Sequence, residues 1–222
     1  MPGHPILPRN YSAENIKSQY ARVAWFYNTW SYLTEDRALS RLLALAEVTD
    51  GMQLLEVAVG TGRLFAQLVA LNPSGVNEGL DLSPAMLGYA RRHLARKGET
   101  AACHLQEGSA YALPYASGTF DRLFNTFMLD LFPVEDYPQV LGEYMRVLKP
   151  HGRVALAYFS HGQKWSNRFW PWLAEHFPGL LTGCRPVDVV PALCQAGFQI
   201  LVEESLSQNT FPSTIVIAQK PT

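Results

Sequence analysis

The sequence predicts a doubly wound α/β domain: a mostly parallel, seven-stranded sheet with helices on both faces and an antiparallel hairpin at its C-terminal end. Three observations predict it. Short apolar runs alternate with helical stretches from residue 53 onward, the pattern of a parallel sheet covered on both sides. A glycine turn, Gly60 to Gly62, stands where the first run meets the first of these helices. Two final runs, 199–204 and 214–219, are close enough in sequence to pair antiparallel, an edge that such sheets often carry.

The elements follow in order. Residues 1–10 hold three prolines and form a loose arm without the apolar stretch of a signal peptide. From Ser12, a natural N-cap, Ile16, Tyr20, Val23 and Tyr27 recur at helical spacing on one face. A second helix is expected over 36–46. Residues 1–46 are thus an arm and lid helices, and 47–222 the main domain. Strands are predicted at 53–59 (QLLEVAV), 76–80, 101–106, 122–125 and 153–159 (RVALAYF), besides the final pair. Helices are predicted at 63–71, at 84–96 with Pro84 in the first turn, at 134–147 closed by Lys149-Pro150, and at 187–196 ended by Gly197. Residues 160–186 are irregular and aromatic, a candidate substrate-covering insertion.

Composition narrows the function. The 222 residues fit one domain, with 48% hydrophobic and 17% charged residues. A net charge of −1 provides no field that would draw nucleic acid. Cys103, Cys184 and Cys194 are odd in number and lack CxxC spacing, as expected of reduced thiols in the cytoplasm. No histidine pair has metal-ligand spacing, so no metal is expected. No run approaches the length of a membrane span, leaving membrane contact at most peripheral.

The chemistry concentrates in Leu54–Leu64 (LLEVAVGTGRL). Gly60 and Gly62 let a ligand approach the backbone, and the helix behind them offers free N–H groups. The dinucleotide fingerprint G-x-G-x-x-G lacks its third glycine, because Phe65 stands there. Glu56, at the tip of the first strand, suits a cationic amine better than a pyrophosphate. An amino-acid-bearing nucleoside therefore fits better than a nicotinamide cofactor. Asp81 lies 19 residues after Gly62, where such folds place a ribose-hydroxyl acceptor. Ser83 before Pro84 is a natural N-cap, and Met86 is either a purine contact or a core methionine.

These motifs resemble the class I S-adenosylmethionine-dependent methyltransferases, and most of all the family that C-methylates quinone precursors, with its small-molecule relatives. The resemblance is carried by Glu56-Val-Ala-Val-Gly-Thr-Gly62, Gly79-Leu-Asp-Leu-Ser-Pro-Ala-Met86, Glu107-Gly-Ser-Ala110, Leu113-Pro114, Phe120-Asp121 and Glu143-Tyr-Met-Arg-Val-Leu-Lys-Pro150. Tyr20–Tyr27 (YARVAWFY) looks like the family's entry helix, so the similarity spans roughly residues 15–160. It implies S-adenosylmethionine as cofactor. Glu56 and the backbone of Ala58, Gly60 and Gly62 would hold its methionine end. Asp81 would hold the ribose, Leu82 and Met86 would lie beside the adenine, Ser109 and Ala110 would meet the adenine edge, and Asn125 would face the sulfonium. Two residues depart from the pattern. Ala58 replaces the loop's first glycine, and Ser109 stands where the family usually has an aspartate, so weaker cofactor affinity is expected.

The acceptor is expected to be a small apolar or aromatic molecule, with quinone-precursor C-methylation the nearest case. Phospholipid-amine or thiol methylation, or cofactor binding without transfer, are the alternatives. Asp130, Tyr20 and Tyr27 are the candidates for removing an acceptor proton. Each has a structural alternative, Asp130 as a cap and the tyrosines as a packed stripe. In Lys164–Leu173 (KWSNRFWPWL), Trp165, Phe169, Trp170 and Trp172 are pocket wall, lid packing or membrane contact.

Overall fold

In a computed structural model, which describes residues 33–98, 103–162, 167, 169–176 and 184–222, the apolar runs become seven strands. They are β1 (Gln53–Val57), β2 (Val76–Asp81), β3 (Cys103–Glu107), β4 (Phe120–Thr126), β5 (Leu148–Phe159), β6 (Gln199–Gln208) and β7 (Phe211–Gln219). They form one sheet in the order β3-β2-β1-β4-β5-β7-β6. The first five are parallel, and β7 runs antiparallel to both β5 and β6. The helices are α1 (Asp36–Ala46), α2 (Arg63–Leu71), α3 (Pro84–Lys97), α4 (Tyr137–Val147), α5 (Phe169–His176) and α6 (Val190–Gln195). The expected arm, the helix over 12–27 with Tyr20 and Tyr27, and Trp165 lie outside the described residues.

Side-chain alternation sorts the core into layers. Leu55, Val57, Leu123, Val154 and Leu156 face α4 and α6, meeting Val140, Leu141, Tyr144 and Leu193. Leu54, Phe124, Ala155, Ala157, Ile215 and Ile217 point the other way, toward Leu39, Leu42 and Ala46 of α1 and Leu64 and Leu68 of α2. A third cluster joins Phe65 and Val69 to Leu87, Ala90, Leu94 and Leu105, seating α2 against α3. Helix α1 therefore forms a layer of the domain. Arg41 grips Glu204 of β6 through two nitrogens, and Arg122 Nε donates to the Ala46 carbonyl at 2.9 Å.

Several boundaries differ from expectation for local reasons. The helix expected over 134–147 splits into a 3₁₀ turn, Val134–Asp136, followed by α4, with a proline in the first turn of α4. Lys149 and Pro150 do not close that helix as a linker. They lie in β5, where Lys149 Nζ bonds both oxygens of Asp121 at 2.8 Å. Within the aromatic stretch 160–186 the chain forms helix α5. The helix expected over 187–196 shortens to α6, because the Val187 N–H is drawn to the Phe159 carbonyl. The final strands run longer than 199–204 and 214–219 and turn at Asn209-Thr210, both at positive φ. Two left-handed residues are the geometry of a tight hairpin.

Candidate active site

The carboxyl end of β1 lies between β2 and β4, where the strand order reverses, the usual ligand crevice of an open α/β sheet. Glu56 sits opposite Gly79 and Phe124, and Val57 opposite Leu80 and Asn125. Beyond β1 the Ala58 and Val59 N–H groups both donate to the Leu80 carbonyl, at 2.7 and 3.1 Å, and the Gly62 N–H closes a turn on the Val59 carbonyl at 2.9 Å. At Gly60 a Cβ would meet nothing within 4 Å, so the loop opens onto free space there.

At Gly62 (φ +81) a Cβ would stand 2.9 Å from both Cα and Cβ of Ala90. Only glycine lets α2 start so close to α3. Gly62→Ala is expected to destabilise the protein by about 2 kcal/mol through left-handed strain and the clash with Ala90. Denaturant unfolding reads this, and an unchanged midpoint would contradict it. Ala58, the unusual residue of the loop, adopts φ +63. The chain keeps the glycine-like conformation and carries about 1 kcal/mol of strain instead of rerouting. The Ala58 methyl is half-buried against the cluster beneath α4.

Two carboxylates meet at this edge. Asp81 Oδ2 accepts the Gly60 N–H and Oδ1 accepts the Ser83 N–H, both at 2.8 Å, so β2 holds the loop of β1 in place. Each oxygen keeps a lone pair for a ligand hydroxyl. Burial nonetheless raises the Asp81 pKa, outweighing those two N–H bonds. Glu56 is 2% exposed, and its Oε2 has no hydrogen-bond partner among the described residues. Burial first, and then the charge of Asp81, hold its pKa well above the usual carboxylate range. An unsatisfied buried acid beside a second acid calls for a cation. The residues thus fit S-adenosylmethionine: Glu56 toward its ammonium and Asp81 toward its ribose hydroxyls. When bound, this group supplies a methyl already activated on a sulfonium.

A pH dependence follows from those directions. Folding raises both acids, so the folded protein without donor holds protons that the unfolded chain releases. The share of stability that depends on these two acids is greatest below the ordinary carboxylate pKa and falls as pH rises through the raised values. Glu56→Gln removes its share of that loss. Melting curves should show the variant gaining on the parent at about pH 8, with the gap closing near pH 5. Each kcal/mol regained appears as roughly 2–4 °C. A variant less stable at both pH values would overturn this account.

The remaining expected residues fall around the same edge. Ser83 caps α3, its hydroxyl accepting from the Met86 N–H at 3.4 Å, and Met86 is buried. Leu82, which follows Asp81 in the sequence, is half-buried. Ser109 and Ala110 follow β3, and the Ser109 hydroxyl accepts the Tyr111 N–H at 3.3 Å. The Asn125 amide is buried and donates to the Val57 carbonyl at 2.8 Å and to Met128 Sδ at 3.3 Å, tying β4 to β1. Asp130, a candidate for removing an acceptor proton that would need to reach the rim of the site, lies in the 3₁₀ turn Leu129–Leu131 with no exposed surface. Its charge helps to raise the pKa of Tyr137, whose own burial is the larger cause, and Arg185 acts in the opposite sense.

Some features were not anticipated. Asp81 is a backbone organiser as well as a ligand candidate, a role that its D-x-S spacing, typical of a side-chain turn, signals. Phe127, just past β4, has φ +51, an uncommon conformation for a bulky residue. Arg185 is buried, with Nη2 on the Phe132 carbonyl. Of the aromatic segment, Trp170 packs against Phe211 with its Nε1 on Thr210 Oγ1 at 2.9 Å, whereas Phe169 and Trp172 turn outward.

A family model described as a methyltransferase domain matches residues 54–152. A malonyl-[acyl-carrier protein] O-methyltransferase from Pectobacterium atrosepticum is 30% identical over 90% of this chain and 74% of its own length. Demethylmenaquinone methyltransferase from Halalkalibacterium halodurans is 41% identical over 48% of this chain and 43% of its own length. The enzyme of that name from Thermus thermophilus is 36% identical over 54% and 52%. The matched segment thus spans about half the length of these quinone-pathway relatives. Among solved structures, the [4+2]-cyclase SpnF superposes with a TM-score of 0.78 at 18% identity, covering 97% of this chain and 98% of its own. A SAM-dependent methyltransferase from Aquifex aeolicus gives 0.64 at 18% identity, over 95% and 100%. The chain belongs to the class I S-adenosylmethionine-dependent methyltransferases. S-adenosylmethionine is its methyl donor.

Proposed function

We propose that this methyltransferase acts on a small, apolar or aromatic acceptor, with C-methylation of a quinone precursor the nearest case. The observation that carries the reading is the character of the chain beyond β4. Phe127, Met128 and Leu129 are buried there beside the donor edge, with Asp130 the one ionisable side chain of the turn. A ring carbon that takes the methyl must afterwards lose a proton, and Asp130, with Tyr20 and Tyr27, is assigned to accept it. Asn125 would orient the sulfonium end, Ser109 and Ala110 the adenine edge. The chain's chief task is alignment and exclusion of water, which supplies roughly 7–11 kcal/mol in well-oriented reactions.

A second reading is supported by the Pectobacterium relative, which matches far more of the chain than the quinone-pathway proteins do. It is O-methylation of a carboxyl group on a carrier-bound acyl chain. Methyl-labelled S-adenosylmethionine, offered with a demethylated quinol, a malonyl thioester, a thiol and an ethanolamine phospholipid, separates the cases. Label on the quinol ring carbon supports the first reading, and label in a methyl ester supports the second. Label in none of them would refute the small-molecule assignment.

A further inference from the structure

We infer that Arg185 is a positioning residue for methyl transfer: it fixes the turn that carries Asp130 and supplies the positive charge that a buried carboxylate needs. The inference rests on the reading of Asp130 as proton acceptor. The connection is first one of geometry. Asp130 sits in the 3₁₀ turn Leu129–Leu131 just past β4, and Arg185 lies far along the chain, shortly before α6. The Arg185 N–H donates to the Asp130 carbonyl at 3.3 Å, and its guanidinium Nη2 donates to the Phe132 carbonyl. One residue thus holds the chain at Asp130 and again two residues beyond it. The same segment is anchored to the end of β5, where the Val187 N–H meets the Phe159 carbonyl at 3.0 Å. The turn's own bonds run only from Leu131 to Met128 and from Phe132 to Leu129, and 3₁₀ geometry holds poorly by itself. Arg185 ties that turn to the neighbouring strand.

Charge supplies the second connection. Asp130 has no exposed surface and Arg185 is 7% exposed, and Met128, Leu129 and Tyr137 are buried in one apolar cluster beside the turn. An arginine does not give up its proton, and a buried carboxylate is tolerated where a cation answers it. The Tyr137 hydroxyl, which donates to the Leu129 carbonyl at 2.9 Å, lies in the field of both. Burial is the main cause of its raised pKa; the Asp130 charge adds to it, Arg185 opposes it, and Glu135 adds less. Arg185 is the one cation acting there among the described residues. The neighbouring acids are placed elsewhere: Glu135 and Asp188 are exposed, and Asp136 accepts the Tyr111 hydroxyl at 2.6 Å. That leaves Asp130 as the acid that Arg185 balances. A cation beside a carboxylate favours its ionised form, the state needed to take a proton from the methylated ring carbon.

Melting curves of the full chain give the first test, and they need neither donor nor acceptor. Arg185→Gln should lower the melting temperature. Asp130→Asn added to it should raise the melting temperature again, because the second change removes a carboxylate left buried without its cation. An Arg185→Gln chain that does not fold should fold once Asp130→Asn is added. A double variant that melts below Arg185→Gln, or that fails to fold along with it, would overturn the inference.

The second test follows kcat against pH with methyl-labelled S-adenosylmethionine and a demethylated quinol. Arg185→Gln should move the acidic limb up by about one pH unit and lower kcat about tenfold below it, with S-adenosylmethionine affinity unchanged. Arg185→Lys keeps the charge without the planar fork, so its limb should stay in place. An unshifted limb in Arg185→Gln, with kcat lost in Asp130→Asn, would remove the inference and leave Asp130 as the proton acceptor. Full kcat in Asp130→Asn, or a quinol that takes no methyl, would remove the acceptor reading and the inference with it.

Discussion

Asp81→Ala is expected to weaken binding of S-adenosylmethionine and of S-adenosylhomocysteine by at least about 100-fold. Two losses add. The ribose hydroxyls lose a charged acceptor, each such bond contributing roughly 1.5–3 kcal/mol, where 1.4 kcal/mol is tenfold. The Gly60 N–H, held at 2.8 Å, also loses its anchor, so the loop that faces the donor is no longer fixed. Asp81→Asn keeps one acceptor oxygen for two N–H groups and should fall between, at about tenfold. Titration calorimetry measures both variants. Affinities within about threefold of the parent would mean that Asp81 organises backbone without touching the ligand.

Asp130→Asn is expected to lower kcat by about 100-fold or more, the usual contribution of a positioned general base, while leaving donor affinity intact. The residue has no exposed surface, so the amide keeps the shape while removing the charge and turning one acceptor oxygen into an N–H donor. A purely structural role predicts something else: a lower melting temperature with kcat and its pH profile unchanged. Loss of the acidic limb of the kcat profile, together with an unshifted KM for the donor, separates the two. If kcat survives, the proton must go to Tyr20, Tyr27 or water.

The architecture was legible wherever periodicity and caps coincide. The bounds of α1 and α2 match expectation, because each apolar stripe is bracketed by its own turn, Asp50-Gly51 after the first and the glycine loop before the second. Glu56 and Asp81 were legible by spacing, since one strand end and one 19-residue interval suffice to bring them to the same edge. Tertiary contacts decided the rest. Asn72, which falls between a predicted helix and a predicted strand, is fully buried; its Oδ1 takes the N–H groups of Gly51 and Met52, and its Nδ2 serves the Met52 carbonyl and Asn77 Oδ1. No local pattern announces such a joint. Similarly, the burial of Asp130 depends on a 3₁₀ turn that apolar spacing in FMLDLFP does not encode. The outward aim of Phe169 and Trp172 depends on Trp170 being the residue that docks on Phe211.

The insertion of β7 between β5 and β6 has a temporal consequence. During synthesis β5 is made about sixty residues before the strand that pairs with its free edge. Until β7 emerges, Val154–Phe159 offers an apolar ribbon with open hydrogen-bonding groups, the kind of edge that recruits other chains. The nascent protein therefore passes through a window of vulnerability to aggregation. That window closes only when Phe211–Gln219 threads in as the last seam of the sheet.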